Sequence, residues 1–295
     1  MSSSFAATFS LDPSKFPYTK QCIATKRNAR VSLQNQLFFD LVLAEVARIP
    51  ESSRLYPPRN TTDLRNLHEA IEGCAVDLLK KQCCIYYILR DWDTHTEYAE
   101  EQLIPQTYCA LMDSYWYLDN QKNKEALNSL LTPGLTPNFA TKIMSTFERA
   151  GDHSMLVTYV QTMQNPLDTE EKTRAYLKAL MRVDVSRALF FTRTTTVAPR
   201  QSLFNEVVDH AKTTKEGVDT LARFPFDVSE GQWAFENLSR TPGPGMEALI
   251  VRLTMMGDTS AVIKLREKHG GGKPDLNNAL KESLHSAEAK LLQRS

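Results

Sequence analysis

Residues 139–163 read FATKIMSTFERAGDHSMLVTYVQTM, two short helical stretches, 138–150 and 153–163, meeting at a tight corner. Gly151 ends the first stretch in a left-handed turn, which glycine adopts without a Cβ penalty. Asp152 then starts the second, its carboxylate placed to accept a backbone N–H and to oppose the positive end of the helix dipole. The same Asp-x-Ser corner returns at Asp184-Val-Ser186 and at Asp258-Thr-Ser260, the latter again preceded by glycine, Gly257. The spacings are 32 and then 74 residues, the second being twice 37. A chain that turns back every ~30–40 residues has the period of helical hairpins that stack on one another. The expected fold is all-α, a helical-hairpin stack resembling an α-solenoid, with no sheet. A globular bundle with ordinary Gly-Asp turns is the competing reading.

Working outward, helices are expected in pairs at 169–182 with 185–193 and 200–211 with 215–223, then at 229–239, then at 246–256 with 259–269. On the N-terminal side the expected helices are 33–48 with Ser32 as cap, 63–73, 75–90, 105–118 and 124–131. The stretch 75–90 is apolar on most faces (Leu78, Leu79, Ile85, Tyr86, Ile88, Leu89), as a buried central helix would be. Pro105 sits in a first helical turn, where the missing N–H is harmless. Residues 1–31 carry Pro13 and Pro17 and no sustained period, so they read as an extended or partly disordered arm. The domain proper is then 32–269, followed over 270–295 by a Gly-rich linker and a last amphipathic helix.

The chain has 295 residues with 35 basic and 35 acidic side chains, a zero formal charge that argues against a polybasic binder of nucleic acid or anionic membrane. Hydrophobic residues at 42% and charged residues at 24% are globular values and argue against extensive disorder. The zero is a sum of unequal blocks: residues 1–62 hold 8 basic and 4 acidic side chains, 63–131 hold 6 and 12, and 132–295 hold 21 and 19. The basic first block and the acidic second could attract each other, or each could face a partner. No apolar run approaches the ~20 residues that span a bilayer, and the N-terminus lacks the basic and apolar regions of a secretory signal. The five cysteines (Cys22, Cys74, Cys83, Cys84, Cys109) form no C-x-x-C pair and read as reduced, buried thiols.

Motifs with chemistry are absent. The histidines show no metal-ligand spacing, no Gly-rich phosphate cradle occurs, and no G-x-S-x-G nucleophile elbow exists. No catalytic, cofactor or metal residue is assigned. The carboxylates Asp91, Asp93, Glu97, Glu100 and Glu101 could in principle do acid–base work, but without a cleft they read as a solvated rim or a patch for a basic partner. The aromatics Tyr108, Tyr115, Trp116 and Tyr117 have no Lys or Arg interleaved over 105–119, so core packing is favoured over base stacking. The residues singled out for partner binding are the basic cluster Lys20, Lys26, Arg27 and Arg30, together with Asp91, Trp92, Asp93, Glu97 and Trp116.

Residues 77–210 carry a resemblance. A buried helix ends in Ile85-Tyr-Tyr-Ile-Leu-Arg-Asp91, Ile104-Pro105 opens an aromatic helix, and Trp116-Tyr-Leu-Asp119 is followed by Glu125-Ala-Leu127. A Leu-Leu-x-Pro stop at 130–133 and a helix over 139–147 complete the order. This resembles the ELYS-type nuclear pore complex assembly domain, in its short fungal form. The resemblance implies an all-helical, non-enzymatic scaffold nucleoporin at the nuclear envelope. Its implied partners are nucleoporins of the Y-shaped subcomplex, a β-propeller nucleoporin and the short-arm nucleoporin among them. It implies a part in pore assembly and structure, and in mRNA and protein transport between nucleus and cytoplasm. The long animal form adds a propeller and AT-hooks; this chain is too short for the propeller and has no Arg-Gly-Arg-Pro hook. No direct nucleic-acid contact, transmembrane segment, cofactor or small-molecule substrate is therefore expected. From the residues alone, a helical-repeat adaptor of another assembly, a traffic coat or a proteasome-related complex, fits as well.

Overall fold

Every regular element among the described residues is helical, in a computed structural model that describes residues 5–10, 12–163, 167–240 and 242–269. The chain divides into two compact units, Met1–Asn165 and Pro166–Ser295. The expected linker and helix over 270–295 lie outside the described residues.

In the first unit the helices are α1 (Phe5–Thr8), α2 (Lys20–Ser32), α3 (Phe38–Leu41), α4 (Ser52–Leu55), α5 (Thr61–Gly73), α6 (Leu78–Leu89), α7 (His95–Glu101), α8 (Gln106–Asp119), α9 (Asn123–Leu130), α10 (Ala140–Ala150) and α11 (His153–Met163). Asp77 starts α6 by accepting the Lys80 N–H at 3.0 Å. From Gln82 to Leu89 every residue of α6 is buried, because α5, α7, α8 and the turn Val42–Val46 surround it. That is the packing an apolar run without a polar face requires. Behind α6, α8 contacts α2, α3 and α9. Two aromatic stacks join these layers: Phe39 on Tyr87, with centroids 4.0 Å apart, and Phe38 on Tyr115 at 5.5 Å.

Two N-terminal expectations are corrected. The stretch read as an extended arm contains α2, capped by Thr19, whose hydroxyl accepts the Cys22 N–H at 3.2 Å. Its inward positions include Lys26 and Ala29, so no apolar stripe advertised the helix. The single helix expected at 33–48 is instead α3 running into a wide turn, where the Ala47 N–H reaches back five residues to the Val42 carbonyl. Gln34 and Asn35, both left-handed with φ of 62° and 60°, break the chain ahead of it. Left-handed backbone cannot continue a right-handed helix. The start of α3 is set from inside the core, as the Asp40 carboxylate accepts the Leu37 N–H at 2.8 Å. Ser32 closes α2 rather than capping a following helix.

The second unit comprises α12 (Glu170–Val183), α13 (Val185–Thr194), α14 (Arg200–Ala211), α15 (Lys215–Arg223), α16 (Val228–Leu238), α17 (Pro244–Met255) and α18 (Thr259–Lys268). Contacts run between successive helices and to the next but one: α12 with α13 and α14, α14 with α15 and α16, α17 with α15, α16 and α18. This is a helical-hairpin stack. The corners at Asp184 and Asp258 use the expected chemistry, and the glycine turn expected at the first unit's corner between α10 and α11 is present too. Gly151 and Gly257 are left-handed with φ of 78°, Asp184 accepts the Arg187 N–H at 3.1 Å, and Asp258 accepts the Ala261 N–H at 3.0 Å. In that first-unit corner the Asp152 carboxylate accepts from Asn123 Nδ2 at 2.6 Å, which fastens the corner to α9. Gly217 marks the closest approach, since a Cβ there would lie 2.3 Å from the Ala211 carbonyl oxygen. Buried Glu230 accepts from Arg193 on α13 through both oxygens (2.8 and 2.7 Å) and from Arg200 on α14 at 2.5 Å. One carboxylate of α16 thereby fixes α13 and α14.

Candidate partner-binding site

The nine residues singled out from the sequence separate into an internal group and a surface group. Asp91, one residue past α6 and its C-cap, is the centre of the internal group. One carboxylate oxygen accepts from Trp116 Nε1 at 2.8 Å and pairs with Lys26 Nζ at 3.4 Å. The other accepts from the hydroxyls of Tyr18 at 2.8 Å and Tyr56 at 2.7 Å. Burial first, then the adjacent Asp91 charge, pushes both tyrosine hydroxyls well above their ordinary range, which keeps them donors. Lys26 Nζ also lies over the rings of Tyr56 and Trp116, 5.6 and 5.3 Å from their centroids. Helix α2 is thus held by a charge-assisted cluster of high local strength. Asp91 was expected in an exposed acidic rim; it faces inward because four donors from α2, α8 and two loops converge on it.

Arg30 is likewise engaged. It forks onto Asp40 with two bonds of 2.8 Å and donates to the Tyr56 carbonyl at 2.7 Å. Burial works against the Arg30 charge, but the bonds and charge of Asp40 outweigh it and the net shift is upward. Trp116 is half-buried and carries cations on its ring: Arg90 at 4.7 Å, Lys26 at 5.3 Å and Lys122 at 5.4 Å. These cations come from α2, the end of α6 and the turn before α9, so the local sequence around Trp116 did not show them. Trp92 is half-buried among Phe9, Phe16 and Tyr18, with centroids 5.4, 6.0 and 5.4 Å away.

The surface group is Lys20 and Arg27 on α2, with Asp93 and Glu97 at the start of α7, all exposed. Glu100 and Glu101 extend this acidic face. Two opposite charge sets therefore remain available to solvent after the internal pairing is complete.

A third carboxylate was not singled out from the sequence. Asp119, the last residue of α8, is wholly buried and accepts the backbone N–H groups of Phe38 (2.7 Å) and Phe39 (3.0 Å) and the Tyr87 hydroxyl (2.7 Å). Burial raises its pKa from 3.8 to about 6, against the lowering effect of those three bonds. Asp113, one helical turn and a half earlier, is also raised by burial while it accepts from Tyr86 at 2.9 Å. Among the described residues no group of three or more His, Cys, Asp or Glu is placed to hold a metal ion, and no helix is long and apolar enough to cross a membrane.

Among the described residues, the perturbed carboxylates Asp113, Asp119 and Glu230 each face donors of their own fold. The geometry defines an all-helical protein whose polar clusters hold helices together and whose outer faces carry segregated charge. Residues 36–241 match the ELYS family, described as nuclear pore complex assembly. The chain belongs to that family. It is also 40% identical over 181 residues to a protein of Schizosaccharomyces pombe (strain 972) described as uncharacterized protein ely5. That similarity covers 60% of this chain and 60% of the relative, so the chain spans under two thirds of the relative's length.

Proposed function

We propose that this protein is a non-enzymatic scaffold nucleoporin that binds the Y-shaped subcomplex of the nuclear pore. It contributes to pore assembly and structure, and through them to mRNA and protein transport. The observation that carries this reading is the family match over residues 36–241, which spans the α6–α8 core and the helical-hairpin stack through α16. Its partners are a β-propeller nucleoporin and the short-arm nucleoporin, and its location is the nuclear envelope. The docking elements are the exposed basic residues of α2, Lys20 and Arg27, and the acidic residues Asp93, in the turn before α7, and Glu97, on α7. Exposed charges of this kind steer association and weaken with salt. The internal residues Lys26, Arg30, Asp91 and Trp116 act on binding through the position of α2.

A fluorescently tagged copy should mark the nuclear rim in living cells. A diffuse or punctate cytoplasmic signal, with the tag shown not to disturb folding, would overturn the assignment. In the same cells Lys20→Glu with Arg27→Glu should reduce the rim signal while leaving thermal stability unchanged.

A further inference from the structure

A polar cavity of the first unit, of about 430 Å³, lies between the turn after α2, the end of α8 and helix α10. Its floor is apolar, Leu33 and Leu118, and its walls carry Gln34, Lys142, Arg149 and Asp152. Lys142 and Arg149 stand two turns apart on one face of α10. Among the described residues neither has a carboxylate within ion-pair distance. Lys142 Nζ donates to the Leu33 carbonyl at 2.9 Å and lies 5.5 Å from the Phe38 ring centroid, which leaves donor capacity unused.

The acids whose charge reaches Lys142 are Asp119 and Asp40. Asp119 is saturated by Phe38, Phe39 and Tyr87, and Asp40 by Arg30 and Leu37. Asp152 is held by Asn123. Burial pushes the Lys142 amine below its ordinary range, and the Arg149 charge pushes in the same direction. A half-buried cation with a second cation two turns along the same wall of a polar cavity gains from an anion on both counts.

We propose that this cavity binds an acidic side chain of a peptide segment from a partner protein, with the adjoining residues of the segment filling the rest of the cavity. Lys142 supplies the inner point charge, and the exposed Arg149 fork closes over the carboxylate at the mouth. A volume of about 430 Å³ is far more than a single carboxylate fills, which favours a peptide segment over a free anion. The inference does not rest on the pore assignment, because the cavity chemistry is indifferent to which assembly supplies the segment.

The test is an NMR titration of the full isotope-labelled chain with acetyl-Glu-Leu-Glu-Leu-amide and with its Gln-Leu-Gln-Leu counterpart. Saturable shifts are expected at Gln34, Lys142 and Arg149 with the acidic peptide, and binding about tenfold or more weaker with the amide counterpart. Arg149→Glu, on the exposed face of α10, should weaken the acidic peptide by at least that factor with no change in melting temperature. Lys142→Met should weaken the peptide by a similar factor, with some loss of stability because the Leu33 carbonyl loses its donor. Unsaturable shifts, equal binding by Arg149→Glu and the native chain, or equal binding of free glutamate would each overturn the proposal.

Discussion

Replacing Asp119 tests how the first unit is held together, and the structure sets both the size and the pH dependence of the effect. The carboxylate is fully buried and accepts from two backbone amides of α3 and from the Tyr87 hydroxyl of α6. Asp119→Ala leaves three buried donors without acceptors. At ~1–3 kcal/mol each, reduced by whatever water enters the vacated space, the loss should be about 4–6 kcal/mol. That is a large share of the ~5–15 kcal/mol that holds a typical domain. Asp119→Asn keeps the shape and two of the bonds but has no proton to exchange.

The pH behaviour then separates charge from shape. The folded pKa is raised, from 3.8 to about 6, so the native state holds a proton that the unfolded chain has already released in that window. The stability linked to this proton is fully present below pH ~4 and is lost as pH rises through ~6, a swing of about 3 kcal/mol for a shift of roughly two units. Other carboxylates of the chain act in the opposite sense, so the informative quantity is the difference between the native chain and Asp119→Asn. Urea unfolding at pH 4 and at pH 7.5 should show that difference moving by about 3 kcal/mol in favour of the Asn variant at the higher pH. A difference that stays flat within ~0.5 kcal/mol would refute the assignment of Asp119 as a desolvated carboxylate.

Asp91→Ala should remove about 3–5 kcal/mol, because Lys26 is left as a buried charge without its partner. Amide hydrogen exchange should show α2 losing protection first; uniform loss across the unit would contradict the role of Asp91 as the fastener of α2. Gly217→Ala should cost about 2–3 kcal/mol in thermal unfolding, since the new Cβ would press on the Ala211 backbone oxygen at 2.3 Å. A neutral result would show that α14 and α15 are not in close contact there.

Much of the helical architecture was legible because its signals are local. Gly151, Gly257, Asp184 and Asp258 act within a few residues of themselves, and the unbroken apolar run of α6 announces burial wherever its neighbours come from. The polar interior was not legible. Lys26 meets Asp91 across 65 residues, Tyr18 meets it across 73, and Asp119 meets Phe38 across 81. Read locally, each is a surface charge or the end of a helix. The helix α2 was missed for the same reason, since Lys26 takes one of its inward positions and becomes tolerable only through its distant partner. The unevenness of charge along the chain was the one usable trace. The basic first block and acidic second block do meet, at Lys26 and Asp91.

The family assignment leads to one decisive measurement. Affinity capture of the tagged full chain from gently lysed cells, followed by mass spectrometry, should recover the nucleoporins of the Y-shaped subcomplex in stoichiometric amounts, with recovery falling as salt is raised. Capture of coat or proteasome subunits without nucleoporins, from cells in which the tagged chain is folded and functional, would contradict the account.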